Sequence, residues 1–262
     1  MKQTIFFASL LFSAAFMLGG CEPNMGCTDP EAINYDLYAQ EDDGNCVYAA
    51  DSAELTLQFT FKLGTADFAY NTQAVNWEGR KVKFTLAQFY VSKIALGETL
   101  FADRYLMVTP SKTVHTIGSL ANGDYPSLRF NVGVDSAVNH LDPASWPAEH
   151  TLSSNNPDHA HWGWNPGYIH MKLEGVVDTT AAINGPADAP FVIHIGLDEF
   201  MSALTFAQPV TLQGTTTINV TVDWLRLMDN IDLRYDRATD SFNDPVLAAA
   251  VYANIPAAFT VE

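Results

Sequence analysis

The sequence predicts an all-β protein, an antiparallel β-sandwich that is immunoglobulin-like in outline, and three observations predict it. From Asp51 onward, short stretches alternate apolar and polar residues with the period of a half-buried strand. Gly, Pro, Asn and Asp punctuate the gaps, and helical periodicity is scarce. Lys and Arg total only 13 while Val, Thr and Phe are frequent, a balance that favours strands over helices. The hydrophobic fraction of 48% is ample for a core.

Taken in order, residues 1–20 read as a lipoprotein signal peptide. Lys2 supplies a positive start, Ile5 to Met17 form an apolar run too short to span a bilayer comfortably, and Leu18-Gly19-Gly20-Cys21 places small residues before a cysteine. The expected mature chain starts at a lipidated Cys21, anchored to the membrane and not spanning it. The alternative is an ordinary secretory signal. No later stretch is long and apolar enough for a transmembrane helix. The expected location is the bacterial cell envelope, on the outer membrane.

Residues 21–50 read as a separate acidic module. It has few aliphatic residues and cannot bury a core, so a staple is needed. Cys27 and Cys46 are expected to form one disulfide, as exported cysteines do; free thiols acting as copper ligands are the other reading. Cys27-Thr-Asp-Pro…Asp42-Asp43-Gly-Asn-Cys46 resembles a segment of many exported proteins of Bacteroidetes-type bacteria. Asp29, Asp36, Asp42 and Asp43 are candidate calcium ligands, although their spacing is not that of an EF-hand. The other reading is a stapled, solvated spacer.

Residues 51–262 form the sandwich domain. Leu55, Leu57, Phe59, Phe61 and Leu63 alternate with polar residues, which predicts a first strand with one buried face. Val82, Phe84 and Leu86 repeat the pattern; Phe89, Val91, Ile94 and Leu96 continue it out of phase, which predicts a bulge near Ala87. Further strands are expected at 104–108, 113–118, 127–134, 167–173, 191–196, 203–206 and 215–226, the last with Ile218, Val220, Val222 and Trp224 on one face. Helical turns are expected near 198–203 and 244–251. Residues 135–166 are a long irregular loop, and long ordered loops in compact domains are usually functional.

The formal charge is −17, which excludes a nucleic-acid partner on electrostatic grounds. Hydrolase elbow, zincin, P-loop and dinucleotide signatures are absent from the sequence. The densest chemistry is His159-Ala-His161-Trp162-Gly-Trp164-Asn-Pro-Gly-Tyr168-Ile-His170-Met171, with three of the seven histidines and two of the five tryptophans. Imidazole and thioether groups suit soft or borderline metals such as copper. In an extended segment His159 and His161 share a side, a common chelate. His170 shares a strand face with Tyr168 and Lys172, and Met171 points to the core. His194 faces opposite to Ile193 and Ile195 and reads either as a core histidine or as a ligand. His115, His140 and His150 read as loop surface.

Four blocks then fit one pattern: Gly79…Val82…Phe89-Tyr90-Val-Ser92-Lys-Ile94; Gly133-Val134-Asp135-Ser136 with Asp142-Pro143; Trp162-Gly-Trp164-Asn165-Pro-Gly167-Tyr168…Glu174-Gly175; and Phe191-Val-Ile-His194-Ile-Gly196. Over roughly residues 53–226 the chain resembles the MbnP family, copper proteins encoded with methanobactin operons and other copper systems. The resemblance implies a copper-binding β-sandwich. It also implies a partner, an MbnH-like dihaem protein of the cytochrome c peroxidase family, that oxidises a tryptophan to kynurenine whose amine joins histidines at Cu(I). Carried onto this chain, the candidate kynurenine positions are Trp162 and Trp164, and the metal candidates are His161, His194, His170 and His159. Many members place a histidine about where this chain has Lys62, and a protonated lysine cannot ligate copper. On this reading the protein is a binder and its partner's substrate, not an enzyme. The competing reading is a metal-free recognition or scaffold module of a surface lipoprotein complex.

Overall fold

The computed structural model describes residues 23–48, 51–163 and 166–262. The expected signal peptide, Cys21 and Trp164 lie outside the described residues. Contacts divide the chain into two units, one ending at Tyr48 and one starting at Ala49.

In the first unit Met25–Gly26 pairs in parallel with Glu41–Asp42, and Cys27 is joined to Cys46 by the expected disulfide. The acids serve the backbone. Asp29 accepts from Glu31 N–H, Asp36 from Tyr38, Asp42 from Gly44 and Asp43 from Asn45, each at 2.8–2.9 Å and two residues on. These are Asx turns, in which a short carboxylate replaces a backbone acceptor. Each carboxylate thus caps its own turn, and no group of three or more His, Cys, Asp or Glu placed to hold an ion occurs among the described residues. The calcium expectation has no support in this arrangement.

The second unit is an all-β sandwich. Its main strands, in chain order, are β1 (Ser52–Leu63), β2 (Lys81–Leu96), β3 (Leu106–Val108), β4 (Val114–Ala121), β5 (Leu128–Val132), β6 (His161–Gly163), β7 (Gly167–Val177), β8 (Ala189–Gly196), β9 (Ser202–Phe206), β10 (Thr215–Asp223) and β11 (Phe259–Val261). One sheet runs β9-β5-β2-β7-β8, with β3 and β6 attached at its side; the other runs β11-β10-β1, with β4 on the far edge of β1. Leu55, Leu57, Phe59, Phe61 and Leu63 are buried as the alternation requires, as are Ile218, Val220, Val222 and Trp224. Between the sheets the aromatic rings meet edge to face: Phe59 on Phe89 at 5.8 Å and Phe89 on Phe259 at 5.3 Å, while Phe61 stacks on Trp224 at 5.3 Å.

One departure from the antiparallel expectation lies at the centre of the second sheet. β1 and β10 pair in parallel from Glu54↔Thr215 to Lys62↔Asp223. The period-two pattern determines which face a strand buries, not the direction of its neighbour. A parallel pair needs a long crossover, and here nearly the whole first sheet serves as that crossover.

The phase change in β2 is resolved by two bulges. Leu86 pairs with Glu174 while Phe84 pairs with Gly175, so Thr85 is extra; Lys93 then adopts a positive φ of 51° between the Ser92↔Asn131 and Ala95↔Arg129 pairs. Val82 and Phe84, then Ala87, Phe89 and Val91, then Ile94 and Leu96 all reach the core, while Leu86 is turned out of it. From Ala87 to Ser92 the strand is buried on both faces, because the long irregular loop folds back on the sheet. It closes a second cluster of Tyr90, Tyr105, Met107, Leu152, Tyr168 and Ile169, with Trp146 and Trp162 packed against it. The chain end adds a helix, Pro245–Ala258, capped by Asp244 accepting from Leu247 N–H at 2.9 Å and extending past the expected 244–251.

Gly175 sits where a Cβ would meet the Lys83 carbonyl oxygen and the Phe191 ring. Gly175→Ala is expected to cost roughly 1–3 kcal/mol, as overpacking does, read as a lower urea midpoint at unchanged slope.

Candidate functional site

The His-x-His segment is positioned through the residue between its histidines. Ala160 donates its N–H to the Tyr90 hydroxyl at 3.1 Å and accepts at its carbonyl from Ile169 N–H at 3.0 Å. Both polar groups of that peptide are therefore committed, and the extended backbone sends His159 and His161 to one side, as alternation dictates. Tyr168 stands beneath them, its ring edge-on to His161 at 4.6 Å and to His159 at 6.0 Å. Its hydroxyl donates to Leu152 O at 2.7 Å, and burial pushes its pKa up to about 12, so the donor persists at neutral pH. Tyr90 meets Tyr168 edge-on at 5.5 Å and completes the floor.

The two imidazoles lie nearly parallel, 5.7 Å apart at 14°. The Nε2 atom of each is buried and has no hydrogen-bond partner. Burial, then the neighbouring His159, holds His161 down at about 4, and burial lowers His159 as well. Both rings are therefore neutral at neutral pH, the state a metal requires. Gly163 N–H donates to His161 Nδ1 at 2.9 Å, which places that ring's proton on Nε2. A metal at Nε2 must take the place of that proton, or the ring must shift it to Nδ1 and release Gly163. Two neutral imidazoles suit a soft ion of low coordination number; a structural zinc site takes four ligands. The donor set present thus fits Cu(I).

Trp162 follows directly. Its ring lies over Gly196 of β8, where a Cβ would meet it, and against the exposed Phe242 at 5.6 Å. It is half-buried, held at the rim of the second cluster.

The other expected ligands lie elsewhere. His170 is fully buried: its Nδ1 accepts from Val134 N–H at 3.2 Å and its Nε2 donates to Leu197 O at 3.0 Å. Both nitrogens are spent on backbone, the arrangement of a structural core histidine. The Gly133 Cα lies so close that any Cβ there would meet the His170 ring at 2.8 Å. His194 contacts Glu174 Oε1 at 2.8 Å, with Lys172 3.8 Å from the same oxygen. Lys62 is paired with Asp67 on β1, in the opposite sheet. Met171 is buried as expected, while the strand expected at 167–173 runs on through Glu174 to Val177.

Three histidines read as surface are engaged. His115 is buried beside Phe59, His150 stacks on Trp146 at 4.2 Å, and His140 pairs with Asp198 at 3.1 Å, which also accepts from Asn139 at 2.8 Å. Nothing in the spacing marked His140; the loop's fold brings it to Asp198.

A family model described as MbnP matches residues 52–244. The solved structure of MbnP from Methylosinus trichosporium is similar with a TM-score of 0.53 at 15% identity, covering 80% of this chain and 98% of that one. No curated protein matches the chain.

His170 carries a pH prediction. Its folded pKa is depressed by burial to about 4, against about 6.5 unfolded. The unfolded chain thus binds the proton first on acidification, so this stabilisation is complete above pH ~6.5 and is lost as pH falls toward ~4. His170→Gln is expected to be less stable than wild type at pH 7, with a shallower loss of urea midpoint between those pH values.

Proposed function

The chain belongs to the MbnP family, whose model spans well over half of it, and on that premise we propose an exported, lipid-anchored copper-binding protein of the bacterial outer membrane. His159 and His161 hold Cu(I), for acquisition, storage or handover of the metal. The observation that carries this reading is the pair of neutral imidazoles whose buried Nε2 atoms find no partner in the protein. Buried polar groups are normally satisfied, and an orphaned one costs free energy that a bound ligand recovers.

Trp162 or Trp164 is oxidised to kynurenine by an MbnH-like dihaem partner of the peroxidase class with peroxide as oxidant, the indole C2–C3 bond breaking and C2 leaving as a one-carbon acid, and the aromatic amine so freed supplies a further nitrogen to the metal. Trp162 supports this because it adjoins His161 and keeps a partly open ring beside Phe242. The protein is then a metal carrier and its partner's substrate, not a catalyst. A second reading, a metal-free scaffold, draws its support from His170 and His194 being engaged elsewhere.

His159→Ala/His161→Ala is expected to weaken Cu(I) affinity by roughly two orders of magnitude, about 3 kcal/mol, in competition with a chromophoric Cu(I) chelator. His194→Gln should leave it unchanged. Equal affinity in the wild type and the double variant would favour the scaffold reading. Peptide mass spectrometry after co-expression with the dihaem partner should find kynurenine at position 162 or 164 and at neither in its absence.

A further inference from the structure

The small N-terminal unit exposes several large apolar side chains. In 26 described residues, Met25, Ile33, Tyr35, Leu37, Tyr38 and Tyr48 are all exposed. The extreme is the turn at Leu37 and Tyr38, exposed at 72% and 79%. The turn is well formed: Asp36 accepts from Tyr38 N–H at 2.8 Å, and Asp36 O accepts from Ala39 N–H at 3.1 Å. It is also tied to the start of the unit. Asn24 Nδ2 donates to Tyr38 O at 3.2 Å, and Gln40 N–H donates to Asn24 O at 2.8 Å. A Cβ on Gly26 would meet Asp36, so the two segments are in close contact there.

Asn24 follows Cys21 by three residues. Three residues reach at most about 11 Å when fully extended, comparable to the depth of a bilayer's headgroup layer. A turn tied to Asn24 is therefore held at the membrane surface if Cys21 carries the anchor. We propose that the Leu37–Tyr38 turn is a second membrane contact, inserted into the interface of a zwitterionic bilayer beside the lipid. The proposal rests on the lipid-anchored reading given above. Tyr is a residue of the membrane interface, where its ring is buried and its hydroxyl stays wet, and Leu contributes apolar area alone.

The chemistry of the unit selects the surface. Residues 21–48 contain no Lys or Arg, and Asp36, Glu41, Asp42 and Asp43 lie close to the turn in sequence. Attraction to anionic lipid is excluded, so the contact depends on apolar burial. A single acyl chain alone binds membranes marginally, with a constant near about 10⁴ M⁻¹, so a protein coupled to one chain makes an additional contact by the turn readable.

The chain's three cysteines are Cys21 and the disulfide pair, so Cys21 is the sole thiol available for labelling. The mature chain from Cys21, coupled there to a maleimide carrying one saturated C14 chain, is sedimented with phosphatidylcholine–phosphatidylethanolamine vesicles. Wild type is expected to partition at least about tenfold more strongly than Leu37→Ser/Tyr38→Ser, in line with the transfer of a Leu-sized apolar area. Val246→Ser, equally exposed at 78% but on the other unit, should match wild type. Adding anionic lipid at low salt should weaken wild-type binding. An intact disulfide by mass confirms that the double variant keeps its staple. Equal partitioning of wild type and double variant overturns the proposal, as does Leu37/Tyr38-dependent dimerisation without vesicles. Chemical coupling makes this result independent of native processing. Mass analysis of the Cys21 peptide from host membranes tests the lipid-anchored reading by itself.

Discussion

The second core depends on the Tyr90–Tyr168 pair. Each ring buries a large apolar surface on the outer face of the first sheet, and each hydroxyl reaches a loop backbone, Ala160 N–H in one case and Leu152 O in the other. A buried tyrosine needs such a partner, and a loop lying on a sheet needs its backbone groups satisfied. The two requirements meet in the same bonds. Through Ala160 they orient the His-x-His segment, and through Leu152 they close the loop over β2. That closure explains why the middle of β2 is buried on both faces while an ordinary sandwich strand has one wet side.

Competition for hydrogen bonds then sorts the histidines. His170 lies where Val134 N–H and Leu197 O are both in reach, and it is consumed by them. His194 faces Glu174 and Lys172 across a strand pair. His159 and His161 are left with partnerless nitrogens in a setting that keeps them neutral. Which imidazoles keep an uncommitted nitrogen is therefore a matter of what the backbone leaves free, more than of how many lie close in sequence. Thirteen residues contain three histidines, yet the third is turned into the structure by the irregular pairing between Ile169 and Met171.

Three glycines around the histidines follow the same logic of close approach. Gly196 gives Trp162 a flat seat, Gly133 admits the His170 ring, and Gly167, at φ 82°, lies against Asn139. Asn139 in turn donates to Asp198 and accepts from Tyr168 N–H, so it ties the start of the loop to β7 and to the turn that follows β8. A side chain at any of the three would displace a functional or supporting group. These positions couple the fold to the placement of the histidine and tryptophan side chains.

The sequence by itself determined the all-β class, the buried face of β1 and β10, the presence of a bulge in β2, the Cys27–Cys46 pair and the His159/His161 segment. All are local: alternation, a staple in a coreless module and side-chain direction in an extended segment depend on neighbours a few residues away. The tertiary structure alone decided that β1 and β10 run parallel, that Leu86 leaves the core, that His115 is buried and His140 pairs with Asp198, and that His170 and His194 are engaged elsewhere. Those outcomes turn on partners 20 to 160 residues distant, such as Glu174 for His194, Leu197 for His170 and Thr215 for Glu54. A period in the sequence specifies a face. Which donor or acceptor waits across that face is known only when the sheets have been laid together.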